Sequence, residues 1–368
     1  MWLKNITLLN FKNYASAELD FSETINAFVG NNGAGKTNLL DGIHYLCLCK
    51  SYFNPVDSHQ IKSGEDLFLI QGDFDRNERE EKISCGLKRN QKKQFKRNKK
   101  EYEKLADHIG LFPVVMISPY DINIIMEGSE ERRRFMDNVI SQTDAAYLDE
   151  LIQYNKYLLN RNALLKQAAL QRKMPDPALM EIIETQLVGS GEQIFEKRKQ
   201  FMDDFILLFD KYYRFISNEA EDAGLVYLSQ LNEERFPALL QKSAARDKVL
   251  ERTTTGIHKD DLQFTLSGMP LKRSGSQGQQ KSFLIALKLA QYAYLQRFKG
   301  FKPILLLDDI FDKLDNRRVH KLMEMVSHHD FGQIFITDTS RERVVFIFNE
   351  IGVALRLFDV SNGKAEYA

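Results

Sequence analysis

Cysteine is scarce in this chain: Cys47, Cys49 and Cys85 are the three among 368 residues. So low a count implies no disulfide framework. His44 followed by Cys47 and Cys49 could suggest a metal, but no second ligand pair stands nearby, and core cysteines are the expectation. No apolar run approaches the roughly 20 residues that a membrane span requires. The opening Met1-Trp2-Leu3-Lys4-Asn5 lacks the basic-then-apolar layout of a signal peptide, so a cytoplasmic protein is expected. Net charge is also missing, 51 Lys and Arg standing against 51 Asp and Glu, which argues against a uniformly basic coat for nucleic acid. The length suggests two domains with ample material for a core.

What is present is one phosphate-binding pattern in its proper context. Gly30-Asn31-Asn32-Gly33-Ala34-Gly35-Lys36-Thr37 follows Ile25 to Val29, which reads as a buried parallel strand. It precedes Leu39, Leu40, Ile43 and Leu46 at helical spacing. Glycines let backbone N–H groups converge on an anion, and the helix adds its positive N-terminal end. Lys36 is then expected to reach the outer phosphates of a nucleotide, and the Thr37 hydroxyl to ligate Mg²⁺.

Around this loop the chain reads as mixed α/β. Strands are expected at 3–11, 17–21, 67–74, 82–87 and 114–117. From Lys88 to Lys100 eight of thirteen residues are basic: Lys88, Arg89, Lys92, Lys93, Lys96, Arg97, Lys99 and Lys100, interrupted by Phe95. A solvated hairpin turning near Asn98 and a phosphate-tracking surface both fit this pattern. From Glu130 to about Phe215 strand signals cease. Leu148, Leu151, Ile152, Leu158, Leu159 and Leu165 form one expected apolar stripe. Asp176 and Pro177 then open a second helix in which Met180, Leu187, Ile194, Phe201 and Leu208 recur every seven residues. Gly191 and Arg198 occupy the partner seam, so two helices packed side by side are expected and an extended coiled coil is not.

The α/β character returns at Gln263 to Leu266. Ser274-Gly275-Ser276-Gln277-Gly278-Gln279-Gln280 leads into another helix, again a candidate anion site. Ile304 to Leu307 reads as a buried strand ending in Asp308 and Asp309, where one carboxylate can hold Mg²⁺ and the other can orient or activate water. Gln333 to Thr337 reads as a further buried strand.

In this order the motifs resemble the RecF family, bacterial recombinational-repair ATPases of the SMC and ABC-head class. The resemblance covers essentially the whole chain. It rests on Asn10-Phe11-Lys12-Asn13-Tyr14, the phosphate loop, Arg161-Asn162, Gly256-Ile257-His258-Lys259-Asp260-Asp261, Ser276 to Lys281 and Leu307-Asp308-Asp309. It implies an α/β fold, an ABC-type P-loop NTPase head of mixed sheet and flanking helices, with an inserted all-helical arm. The head is expected over 1–111 and 253–368, the arm over 112–252. By the same resemblance Asp308 is the Walker B magnesium ligand and Asp309, with Lys36, is catalytic. Ser276, Gln277, Gly278 and Gln279 are the signature that completes a partner's site, and Asp312 and Asp315 belong to the D-loop. It further implies an ATP-dependent homodimer, slow DNA-stimulated ATPase activity, DNA with duplex next to single-stranded gaps, and a RecR-like mediator as partner. An ATPase subunit of a membrane transporter shares these motifs but commonly carries a shorter helical insertion.

The chain departs from the family pattern at four positions: Lys12 and Lys259 replace Arg, Ile257 replaces Pro, and Asp312 replaces Ser. The lysines keep the charge and lose the bidentate fork. Thr337-Asp338-Thr339 stand where a switch histidine often lies, so no histidine is assigned to catalysis; His258 reads equally as a hydrogen-bonded loop residue.

Overall fold

A computed structural model describes residues 1–217, 222–313, 316–327 and 330–368, the side chains of 312, 313, 316, 317 and 327 excepted. The D-loop carboxylates Asp312 and Asp315 therefore lie outside the described residues. The chain forms two compact units, Met1–Asp121 with Lys281–Ala368, and Ile122–Gln280.

The first unit begins with β1 (Trp2–Phe11), β2 (Tyr14–Asp20), β3 (Ile25–Val29), β4 (Leu67–Arg76), β5 (Arg79–Lys88), β6 (Gln94–Arg97), β7 (Lys100–Glu101) and β8 (Val114–Ile117). Antiparallel pairing orders one sheet as β2-β1-β4-β5-β6-β7. Its alternating pattern buries one face: Phe68, Ile70 and Phe74 of β4 point inward between exposed Leu67 and Leu69. The β6–β7 hairpin turns at Asn98 and Lys99, both at positive φ (51° and 70°), the conformation that two-residue hairpins favour.

The second unit is mostly helical. Helices Ala145–Gln171 and Pro177–Ser217 lie side by side, with Ser129–Thr143 and Phe236–Leu250 packed alongside. It carries one strand the sequence reading does not anticipate in the arm, β9 (Ala223–Leu228), which pairs antiparallel with β10 (Asp261–Leu266), where α/β character is expected to return; β10 also pairs with β11 (Met269–Pro270). The leucine stripe expected on Ala145–Gln171 is fully buried only at Leu165. Ile152 and Leu159 are exposed, and the helix buries Tyr147, Tyr154, Arg161 and Ala168 beside it. Polar tips are tolerated there because each finds a partner: Tyr147 donates to Asp137, Tyr154 bonds His258, and Arg161 pairs with Asp247 at 2.7 Å.

The seam positions of Pro177–Ser217 have the same explanation. A Cβ at Gly191 would stand 2.6 Å from the Phe236 ring, so only glycine lets the helices approach this closely. Arg198 is 1 % exposed, and its guanidinium serves Asp260 (2.7 Å), Asp137 (2.9 Å) and the Ile257 carbonyl (2.9 Å). Removing one partner of such a buried set costs about 3–5 kcal/mol, because the other charge is left uncompensated.

The chain then returns to the first unit with β12 (Ile304–Leu307), β13 (Ile334–Asp338), β14 (Leu355–Ser361) and β15 (Lys364–Tyr367). They complete a second sheet ordered β15-β14-β3-β13-β12-β8, parallel except for the edge strand β15. Strands β3, β8, β12 and β13 are buried at every residue, as a covered parallel sheet requires. Helix Lys36–Leu48 packs into the core with Leu39, Leu40, Ile43 and Leu46 at most 1 % exposed, each contributing about 1.5–3 kcal/mol by the area it removes from water.

Candidate nucleotide-binding site

The parallel sheet brings the sequence motifs to one edge. β3, β13 and β12 are neighbours in register, with Ile336 beside both Ala27 and Leu307, so the segments leaving their C-terminal ends converge. After β3 comes the phosphate loop. Two of its glycines are steric necessities: a Cβ at Gly30 would lie 2.1 Å from the Val360 carbonyl oxygen, and one at Gly35 (φ 120°) would lie 2.5 Å from Asn13 Nδ2. Gly35 also supplies no side-chain cap to helix Lys36–Leu48, and no acid stands in its first turn, so nothing competes with an anion for that helix end. This cradle fits phosphate.

Lys36 is 7 % exposed and folds back over the loop, donating to the carbonyls of Gly30 (2.7 Å) and Asn31 (3.0 Å). Thr37 Oγ1 donates to Asp308 Oδ1 at 2.8 Å, joining the helix to the end of β12. Thr337 on β13 donates to the same oxygen at 2.9 Å and accepts from the Asp309 amide at 2.9 Å. Burial raises the Asp308 pKa above the ordinary carboxylate range, against the opposing pull of the two hydroxyls. A buried carboxylate beside a threonine hydroxyl is a hard-oxygen donor set that suits Mg²⁺. Among the described residues no three His, Cys, Asp or Glu side chains cluster as a metal site, so a cation here would take further ligands from phosphate and water. Asp309 itself adopts φ 49°, a conformation uncommon outside glycine and asparagine, as the chain turns out of the strand.

The sequence reading names Lys12, Asn13 and Tyr14 only as part of a family motif, without a role; in the structure this stretch, with Asn38, holds the loop from behind. Asn13 Nδ2 donates to the Ala34 carbonyl (3.0 Å), Tyr14 OH to the Gly35 carbonyl (3.2 Å), and Asn38 to Asn13 Oδ1 (2.7 Å). Lys12 pairs with buried Asp41 at 2.6 Å. Thr337 was read as the end of a strand, and a hydroxyl followed by Asp338 at a buried strand end was the available signal. Asp338 is fully buried and receives a two-pronged contact from Arg343 (2.6 and 3.2 Å).

The remaining candidates lie elsewhere. Ser276 and Gln279 cap each other, Ser276 N donating to Gln279 Oε1 (2.6 Å) and Gln279 N to Ser276 Oγ (3.3 Å), at the start of helix Gln277–Lys299. Ser276 and Gln277 are exposed, and Gly278 is half-buried. Of the basic hairpin, Lys93 is turned inward, donating to the Cys49 carbonyl (2.6 Å), Asp57 (2.9 Å) and Tyr45 OH (3.2 Å). Arg97 is forked onto Glu81 at 2.5 and 2.7 Å. Lys88, Arg89 and Lys92 are exposed and Lys96 half-exposed. His258 bonds Tyr154 OH (2.7 Å) and the Thr253 carbonyl (3.2 Å), and burial lowers its pKa to about 4, which makes it a neutral structural residue.

The family profile described as RecF/RecN/SMC N terminal domain matches residues 2–363. A protein of Parabacteroides distasonis named DNA replication and repair protein RecF is 51% identical over 366 residues, covering 100% of this chain and 99% of the relative. The chain belongs to the RecF family. A Flavobacterium johnsoniae protein of the same name is 50% identical over 98% of this chain and 100% of its own. A solved structure described as the recombination mediator protein RecF-ATP in the RecFOR pathway superposes with TM-score 0.90 at 31% identity, covering 100% of this chain and 97% of that one. An Smc head bound to the C-winged helix domain of ScpA superposes at TM-score 0.59 with 15% identity, a likeness of fold alone. The ABC-type head with its mixed α/β sheets is thus the fold of this RecF-family chain, and a transporter ATPase subunit is not favoured, since relatives matching over the full length are named for DNA replication and repair.

Proposed function

We propose that this RecF-family chain is an ATP-dependent DNA-binding protein of recombinational repair and replication-gap recovery, in which ATP closes two heads on DNA and slow hydrolysis releases them. The observation that carries the reading is the meeting of Lys36, Thr37 and Asp308 at one sheet edge, in a chain half identical to proteins named for DNA replication and repair.

Mg²⁺, when bound with ATP, would neutralise charge on the outer phosphate oxygens. Gly30, Asn31, Asn32, Gly33, Ala34 and Gly35 wrap the phosphates with backbone N–H groups, and Lys36 exchanges its two carbonyl partners for phosphate oxygens. Thr37 and Asp308 supply the protein's oxygens to the cation. Asp309 holds the attacking water and takes its proton. Ser276, Gln277, Gly278 and Gln279 complete the site of a second copy, so two identical sites form across an isologous interface. The head is the unit Met1–Asp121 with Lys281–Ala368, to whose parallel sheet β8 belongs, and the arm is the unit Ile122–Gln280. DNA stimulates the weak ATPase; the substrate is duplex next to a single-stranded gap, Lys88, Arg89, Lys92 and Lys96 contact its phosphates, and a RecR-like mediator is the cytoplasmic partner.

The test is ATPase rate per molecule against protein concentration. The rate should rise and then level off, while Ser276→Arg, whose bulk blocks closure, should bind ATP yet stay at the low-concentration rate. A rate independent of concentration, or a Ser276→Arg protein that turns over like the parent, would sink the shared site.

A further inference from the structure

Several cations gather in the Ile122–Gln280 unit without matching carboxylates. Three backbone contacts assemble them. Arg252 N donates to the Asp247 carbonyl at 3.1 Å, folding residue 252 back onto the last turn of helix Phe236–Leu250, which carries Arg246. His258 bonds the Thr253 carbonyl at 3.2 Å, bringing Lys259 back beside Arg252. Arg133, from helix Ser129–Thr143, reaches the backbone oxygen of Asp260 at 2.7 Å.

All but one of the acids nearby are occupied. Asp247 is fully buried and paired with Arg161 at 2.7 Å, while Asp260 is paired with Arg198 at 2.7 Å. Glu130 pairs with Arg134 at 2.6 Å, and Glu251 stands exposed at the rim. Among the described residues, Arg246, Arg252 and Lys259 have no carboxylate within ion-pair distance, and all three are exposed. The Lys259 pKa is lowered first by partial desolvation and then by Arg252, Arg133 and Arg246, with Asp247 pulling the other way. A bound anion would relieve the repulsion among these cations.

We infer that Arg246, Arg252 and Lys259, backed by Arg133, contact the phosphate backbone of double-stranded DNA. The inference rests on the DNA-binding reading above and moves part of that contact from the basic hairpin, where Lys93 and Arg97 are engaged internally, to the second unit. Duplex fits better than a small phosphate ligand. The cations stand exposed on a helix end and a loop, as in sequence-independent tracking of a phosphate backbone. A small anion would call for enclosing backbone N–H groups, as the phosphate loop has.

The experiment is fluorescence anisotropy of a random-sequence duplex with the full chain and ATP across a salt series. It compares the parent, the triple variant Arg246→Gln/Arg252→Gln/Lys259→Gln, and a control of equal charge, Lys166→Gln/Arg172→Gln/Lys173→Gln. All six side chains are exposed, and unchanged ATP affinity checks that each variant is folded. The log–log salt slope should flatten by roughly 0.9 per cation in the first triple, about 2.7 in all, and stay at the parental value in the control. A first triple that keeps the parental slope, or a control that flattens equally, overturns the inference and leaves the DNA-binding reading standing. A parent that binds no duplex with ATP sinks both together.

Discussion

Replacing Lys36 with Ala removes the side-chain cation that, among the described residues, folds over the loop, and the size of the effect follows from its bonds. The ammonium is 7 % exposed and makes two contacts, 2.7 Å to Gly30 and 3.0 Å to Asn31, in the space where phosphate oxygens belong. With ATP bound the same two bonds run to charged oxygens, and hydrogen bonds to charged groups contribute about 1.5–3 kcal/mol each. Two of them amount to roughly 3–6 kcal/mol, about a hundred- to ten-thousand-fold in Kd at 1.4 kcal/mol per decade. ADP lacks the outermost phosphate, so its affinity should fall by about half as many decades. Titration of a fluorescent ATP analogue, with ADP in competition, reads both. An ATP affinity within threefold of the parent would refute the assignment of this loop, and equal losses for ATP and ADP would refute the reach of Lys36 to the outermost phosphate.

Asp309→Asn should bind ATP as the parent does, hydrolyse it far more slowly and lengthen the life of DNA complexes; stopped-flow turnover equal to the parent would move the catalytic carboxylate elsewhere. Lys93→Met should leave the DNA salt slope untouched and lower the urea midpoint by the equivalent of about 1.5–3 kcal/mol, since its ammonium is spent on Cys49, Asp57 and Tyr45. A flattened slope at unchanged stability would return Lys93 to the DNA. Burial lowers the pKa values of His44, His108 and His258 to about 4. Their folded values thus lie below the unfolded 6.5, so the unfolded state takes up protons first on acidification. Stability should fall as pH drops from about 6.5 towards 4, by up to about 3 kcal/mol per histidine at 1.36 kcal/mol per unit, and a urea midpoint that stays level between pH 7 and 5 would contradict this.

The parallel sheet was legible because its strands are short apolar runs bounded by loops of recognisable chemistry. Ile25 to Val29 before the phosphate loop and Ile304 to Leu307 before Asp308 leave little alternative. The helical arm was harder. Its buried faces rest on Arg161, Arg198, Tyr147 and Tyr154, residues that periodicity arguments score as exposed, and their partners are up to 104 positions away in sequence. Distance in sequence also hid Thr337, which touches Asp308 from a neighbouring strand. In the basic stretch, charge counting treats eight cations alike, while the fold draws Lys93 inward to Asp57 and Arg97 onto Glu81, because tertiary packing decides which side chains meet a carboxylate.

The claim on which the mechanism depends is that ATP itself joins two copies, and sedimentation velocity of the Asp309→Asn protein tests it without interference from hydrolysis. With ATP and Mg²⁺ the boundary should move as a dimer, and with ADP or no nucleotide as a monomer of 42.7 kDa. A protein that stays monomeric with saturating ATP, or one that is dimeric in all three conditions, would contradict the account.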